Sequence, residues 1–508
     1  MVLEYVILAL YVVSMVAIAV YTKNRSKSVN DFLLAGKNGL NGWMSAFAYG
    51  TTYFSAVIFV GYAGKFGAQY QLAAIWIGIG NAIIGSLFAW MVLAKRTKNM
   101  TVRLSAKTMP EFFEKRYGSN KLKLVSAVII FLFLIPYSAS VYNGLSSLFE
   151  TVFGVPGWVI MIALALITAL YLFFGGYFAT ALSDFIQGII MLIGVVLMVI
   201  FFLNSKQVSW DLTSLNWFTF NSNRTGLYGD TISLLSLILL TSFGVWALPQ
   251  TIHKYYAIRD KKAIMQGTVV STAFALIIGF GAYFVGGLST LFPEVSGVGS
   301  DYIIPEMLKI VILPVGLMGV IAVLILSASM STLSSVSLAS ASVVAVDIYK
   351  GKINTNANDK KVNTLMRVLC LIFILISVVL AVLNEKFQIS AIAYLMGLSW
   401  GTLAGCFIGP YVLGLFWKKV SVPAVWTSII SSLVLTVLLI FIFGYDLAGW
   451  NCPMGVAIKN GISCSPMIGV ICMAFSMVIT AIVSLFTKQP SEEILEHSFN
   501  KKIENEIV

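Results

Sequence analysis

The chain has 508 residues, of which 59% are hydrophobic and only 11% charged, and its mean hydropathy is +0.91. A water-soluble domain carries about 45–50% apolar and about 25% charged residues, so this balance excludes a soluble globular protein, a coiled coil, a collagen and a disordered chain. A net charge of +12 would point to nucleic acid in a soluble protein, but in a bilayer it reports orientation, and no nucleic-acid partner is expected.

In chain order, thirteen apolar stretches are long enough to cross about 30 Å of hydrocarbon: residues 2–22, 42–62, 71–94, 121–148, 157–175, 182–203, 232–252, 266–290, 306–344, 363–384, 389–415, 421–443 and 465–486. Only helices or closed barrels satisfy backbone polar groups in lipid, and long unalternating runs exclude a barrel, so the fold class is an all-α polytopic membrane protein. The first stretch lacks a basic leading region and a cleavage site and reads as a retained helix rather than a signal peptide. Assigning alternate loops to opposite sides puts 27 of the 33 Lys and Arg residues on one side. The other six are Lys65, Lys206, Arg224, Lys309, Lys386 and Lys459. Basic loops stay cytoplasmic, so the N-terminus is expected outside and the C-terminus inside a cell membrane. Within the basic loop after the third span, Thr108 to Tyr117 reads as a short interfacial helix opened by Pro110. Cys370, Cys406 and Cys472 fall in apolar helices as packing residues, whereas Cys452 and Cys464 share an outer loop and form a candidate cross-link.

Three places break the apolar texture. In the second span, Gly50 is followed by Thr51, Thr52 and Ser55. These either let two helices pack closely or mark a broken helix whose freed Thr51 and Phe54 carbonyls face a cation. In the ninth span, Ser331, Thr332, Ser334 and Ser335 fall within about 1.4 helical turns. Neutral hydroxyl oxygens at that density suit a hard ion such as sodium, although Ser and Thr also bond the preceding turn of their own helix. At the start of the sixth span, Asp184 follows the Gly175–Gly176 pair and is either an ordinary N-terminal charge or a functional carboxylate inside the membrane.

Four strings share a family pattern: Asp31-Phe-Leu-Leu-Ala-Gly-Lys37, Met109-Pro-Glu-Phe-Phe-Glu-Lys-Arg-Tyr-Gly118, Gly175-Gly through Ser183-Asp-Phe-Ile-Gln187, and Met330-Ser-Thr-Leu-Ser-Ser335. In this order and spacing, over roughly residues 5 to 420, the chain resembles the sodium/solute symporter family, most nearly its bacterial proline symporters. The resemblance implies a LeuT-like core of two inverted five-helix repeats. The expected division is 1–41 for the first helix and its loop, 42–203 for the first repeat, 204–231 for an external loop and 232–415 for the second repeat. Two additional helices would fill 416–486, leaving a tail over 487–508.

The resemblance also implies a sodium ion held by the carbonyls of Thr51, Phe54 and Ala328 and the hydroxyls of Ser331 and Thr332. A second sodium, as in some members, maps onto Asp184, Ser331, Ser334 and Ser335. Tyr137, Pro249 and Lys254 match the proline symporters, whereas Tyr53, Thr241 and Val245 depart from the residues those proteins place around their ligand. The third-span glutamate of sugar carriers and the fourth-span arginine of sialic acid carriers are both missing. The remaining pocket candidates are Tyr53, Trp76, Asn81, Tyr137, Trp246 and Gln250, a lining suited to a small amphipathic solute such as an amino acid or monocarboxylate.

No His-Glu-x-x-His or Walker motif occurs, so no enzyme is expected. The expected function is sodium-coupled uptake by alternating access, with a solute sensor or a carrier of a sugar or vitamin as the alternatives. The expected partners are a small organic solute, sodium and the lipid bilayer. No cofactor beyond sodium is implied, and the sequence sets no oligomeric state.

Overall fold

The computed structural model describes residues 2–22, 28–36, 39–218, 230–311, 313–387 and 389–499. Lys23, Arg25, Lys27, Lys37, Arg224 and the tail 500–508, which entered the charge reading, lie outside the described residues. The described residues form helices joined by turns and loops, with no strand among them.

Eleven helical runs are long and apolar enough to cross a membrane, and two of them, Val57–Arg103 and Gly157–Leu203, have 47 residues each. A straight helix of that length would extend about 70 Å, more than twice a hydrocarbon core. Both runs instead fold back on themselves. In the second, Gly176 adopts φ 59° and ψ −157°, and a Cβ there would meet the Phe32 ring at 2.7 Å. Only glycine fits a backbone that reverses direction at this point. In the first, Gln71 turns the chain at φ 54° and ψ −136°. The helix Lys261–Gly287 records the reversal: Gly67 meets Gly286 and Gln71 meets Gly287, after which Gly78 meets Gly279 and Trp90 meets Gly267. The chain thus climbs along this helix to Gln71 and then descends it. With the short helix Gly42–Tyr53 completing the second span, the two folded runs account for thirteen passes.

The approach along Lys261–Gly287 is backbone on backbone. A Cβ added at Gly67 would fall 2.1 Å from the Gly286 carbonyl carbon, and one at Gly78 would fall 2.5 Å from that of Gly279. Small residues permit this spacing where lipid supplies no hydrophobic drive between helices.

Three expectations change. The ninth span starts at Leu317, not near 306, because Pro314 and Gly316 (φ 87°) separate it from a distinct helix, Ile303–Ile310. The seventh span is interrupted: one helix, Asp230–Gly244, ends before a second, Pro249–Ala257. Cys452 and Cys464 flank a helix, Met454–Ser463, and are both free thiols. Ten helical residues extend about 15 Å, well beyond disulfide reach. The short helix read in the basic loop forms over Met109–Tyr117, with the Thr108 side chain accepting from the Glu111 N–H and Gly118 closing it in the left-handed region.

Candidate functional site

The second span stops being helical at Phe54, where φ is −99° and ψ 89°, and resumes with wider π-type turns over Val57–Tyr62. Gly50 lets the break sit close to the eighth span, since a Cβ there would meet the Phe274 ring at 2.4 Å. The ninth span, Leu317–Ser342, faces the break with its hydroxyl-rich turn. The Ser331 hydroxyl donates to the Thr51 carbonyl at 3.0 Å and lies 3.2 Å from that of Ala328. The Thr332 hydroxyl reaches the Thr51 carbonyl at 3.3 Å. All five residues expected around the first sodium are buried, and four of them meet through these contacts. Phe54, the fifth, forms the break itself. Carbonyl and hydroxyl oxygens are a hard, uncharged donor set, which fits a monovalent hard cation. Among the described residues no group of three or more His, Cys, Asp or Glu side chains comes together to hold a metal.

Asp184 is fully buried inside the sixth span, so it is not a helix-end charge in solvent. Its carboxylate lies 3.6 Å from the ammonium of Lys254, and neither of its oxygens has a hydrogen-bond partner. Lys254 comes from the second half of the interrupted seventh span and donates to Ser335 at 2.8 Å. The Ser335 hydroxyl in turn lies 2.9 Å from that of Thr52, beside the helix break. Ser334 is directed elsewhere, donating to the Ser331 carbonyl at 2.9 Å. The four residues expected around a second sodium are therefore buried in one region, with a lysine ammonium between two of them.

The expected solute residues divide. Tyr53 and Tyr137 are buried on either side of Trp400, with ring centroids 6.0 and 5.6 Å from it. The Tyr53 hydroxyl donates to the Thr241 carbonyl at 2.7 Å. The Tyr137 hydroxyl sits among the Ser55, Thr332 and Trp400 side chains without a well-formed hydrogen bond to any of them, and the side-chain amide of Gln250, on the seventh span, is buried without a partner. Ser55, Tyr137 and Trp400 thus bring polar atoms and aromatic faces together beside the second-span break. Asn81 faces the seventh span, accepting from Thr241 at 2.7 Å and from Ser242 at 3.2 Å. Trp246 donates from its indole to the Ile84 carbonyl at 3.0 Å. Trp76 stands apart: it is 41% exposed and donates to the Trp217 carbonyl in the loop after the sixth span.

Trp400, absent from the sequence-based set, is central here. It lies in the helix Ile392–Ile408, on a span with glycines at 397, 401 and 405. A tryptophan deep in a glycine-rich span, rather than at the interface, was the available signal.

Two interrupted spans facing a hydroxyl-rich helix, all within a helical membrane bundle, define the architecture of a secondary transporter. The chain belongs to the Sodium:solute symporter family, whose model matches residues 32–431. It is 28% identical over 500 residues to the osmoregulated proline transporter OpuE of Bacillus subtilis, covering 96% of this chain and 95% of that one. It is also 29% identical to a sodium/proline symporter of Haemophilus influenzae (81% and 83% covered) and 28% identical to a sodium/pantothenate symporter of Escherichia coli (83% and 87% covered). Among solved structures, a Na+-coupled sialic acid symporter superposes with a TM-score of 0.72 at 17% identity, over 96% of this chain and 99% of that one. The fold is thus the LeuT-like inverted-repeat arrangement, and the protein is a sodium-coupled solute transporter of the membrane.

Proposed function

We propose that this protein couples inward sodium movement to uptake of a small amphipathic solute carrying one carboxylate, of the amino acid or monocarboxylate class, by alternating access. The supporting observation is the buried set of donors beside the second-span break, where the Tyr137 hydroxyl, the Trp400 indole and the Ser55 hydroxyl face one another without a well-formed hydrogen bond, together with the unpartnered Gln250 amide at the seventh-span break. Such donors beside aromatic faces suit an anionic head on a compact apolar body. The second half of the seventh span adds a helix N-terminus at its break, starting at Pro249 next to Gln250. Proline and pantothenate, named for the relatives, both carry a carboxylate.

In this reading sodium is held by the Thr51, Phe54 and Ala328 carbonyls with Ser331 and Thr332. The solute lies on the other side of the same break, against Tyr53, Tyr137 and Trp400. Each ligand fixes a segment that the other also contacts, so each strengthens the other's binding by the same free energy. The 27 basic residues on one side support a cytoplasmic location for that side, with the N-terminus outside. The repeats would run over 42–203 and 232–415, each opening with an interrupted span.

The test is current from the purified protein in proteoliposomes on a solid-supported membrane, with L-proline, pantothenate, short monocarboxylates and neutral sugars as probes. Inward current that needs both sodium and a carboxylate-bearing probe is expected. Current evoked by a sugar and by none of the carboxylates overturns the solute class, and solute current independent of sodium overturns the coupling.

A further inference from the structure

We propose that the ammonium of Lys254 is a tethered cation in the Asp184–Ser335 position, so that this protein binds one sodium ion and Lys254 sets that number. The inference rests on the sodium-symport reading and extends it to stoichiometry. Asp184 is fully buried and Lys254 is 1% exposed, and their charged atoms are 3.6 Å apart. A buried carboxylate that stays ionised needs a counter-charge, and two sources exist: an ion from solution or a side chain from the protein. Here the chain supplies it. The ammonium donates to Ser335 at 2.8 Å, taking an oxygen expected to ligate a second ion, and it lies 5.1 Å from the centroid of the Tyr177 ring. One carboxylate can neutralise one cation, and a sodium placed beside the ammonium would meet like charge at close range in a poorly screened interior.

The geometry also shows why this lysine can sense the helix break. Ser335 bridges Lys254 to the Thr52 hydroxyl, whose neighbour Thr51 offers its carbonyl to Ser331 and Thr332. An unbroken polar path of three contacts thus joins Asp184 on the sixth span, Lys254 on the seventh, Ser335 on the ninth and Thr52 on the second. A mobile ion in the lysine's place could leave during the cycle, whereas a tethered one stays, so only the ion at Thr51 carries charge across.

The measurement is equilibrium binding of radioactive sodium alone to the purified full-length protein, counted per chain. One ion is expected in the parent, two in Lys254→Gln, one in Lys254→Arg, and one in the double variant Lys254→Gln with Asp184→Asn. Two ions in the parent overturn the proposal while leaving sodium symport intact, and so does a single ion in a folded Lys254→Gln protein. No sodium bound to the parent overturns the symport reading and this inference together. If the unpaired carboxylate prevents Lys254→Gln from folding, the parent count decides alone: one ion supports the proposal and two overturn it.

Discussion

The two interrupted spans differ in how far they satisfy their freed backbone groups from within. At the second-span break the Thr51 carbonyl is met by hydroxyls from a different helix, Ser331 and Thr332. At the seventh-span break the gap closes on itself: the Thr251 hydroxyl donates to the Val245 and Leu248 carbonyls at 2.9 and 2.8 Å, and the Trp246 and Ala247 amides donate to Phe243 and Gly244. The first break is therefore mainly a contact between spans, whereas the second is mainly capped from within, with one bond from another span, the Tyr53 hydroxyl on the Thr241 carbonyl.

The largest expected effect breaks this comparison at the first site. Removing both hydroxyls, with Ser331→Ala and Thr332→Ala, should raise the sodium concentration for half-saturation at least about 100-fold, taking about 1.5 kcal/mol for each contact to a charged group. Sodium binding titrated without solute checks it, and an unchanged affinity would show that the seam is packing alone. Next in size, Trp400→Phe deletes a buried N–H while keeping an aromatic face, and should raise the solute concentration for half-maximal uptake about five- to tenfold, equivalent to about 1 kcal/mol. Its sodium affinity, measured without solute, should stay at the parent value. Thr251→Ala tests the self-capped break and should cost about 1 kcal/mol of stability, read as a lower melting temperature, with sodium binding unaltered. The smallest effect belongs to Trp76→Phe, which should change solute half-saturation less than about twofold because its indole serves a surface loop.

These differences mark where sequence reasoning stopped. Thirteen passes and the serine-rich turn are local features that hydropathy and a density of hydroxyls reveal, and the Gly-Thr-Thr run marked the second-span break as one of two readings, the other being close helix packing. The seventh-span break was signalled only by Pro249, and hydrophobicity on both sides of 245–248 concealed it. The Asp184–Lys254 pair joins positions 70 residues apart on separate spans, and no periodicity within either span records such a pairing. Trp400 was missed for the same reason, since what sets it apart is its place between Tyr53 and Tyr137. Trp76 failed in the reverse direction: its type suited a pocket, but its face of the helix points outward.

The glycine contacts along Lys261–Gly287 carry a mechanical consequence. Where Gly67 touches Gly286 and Gly78 touches Gly279, there is no layer of flexible side chains to shear. Spans two, three and eight must therefore swing as one stiff lever. The threonines at 51 and 52 ride on that lever, and the serines of the ninth span are the catch that holds it. Because the lever itself cannot yield, the free energy of an ion bound at the proposed site would be delivered to the swing instead of being lost in local rearrangement.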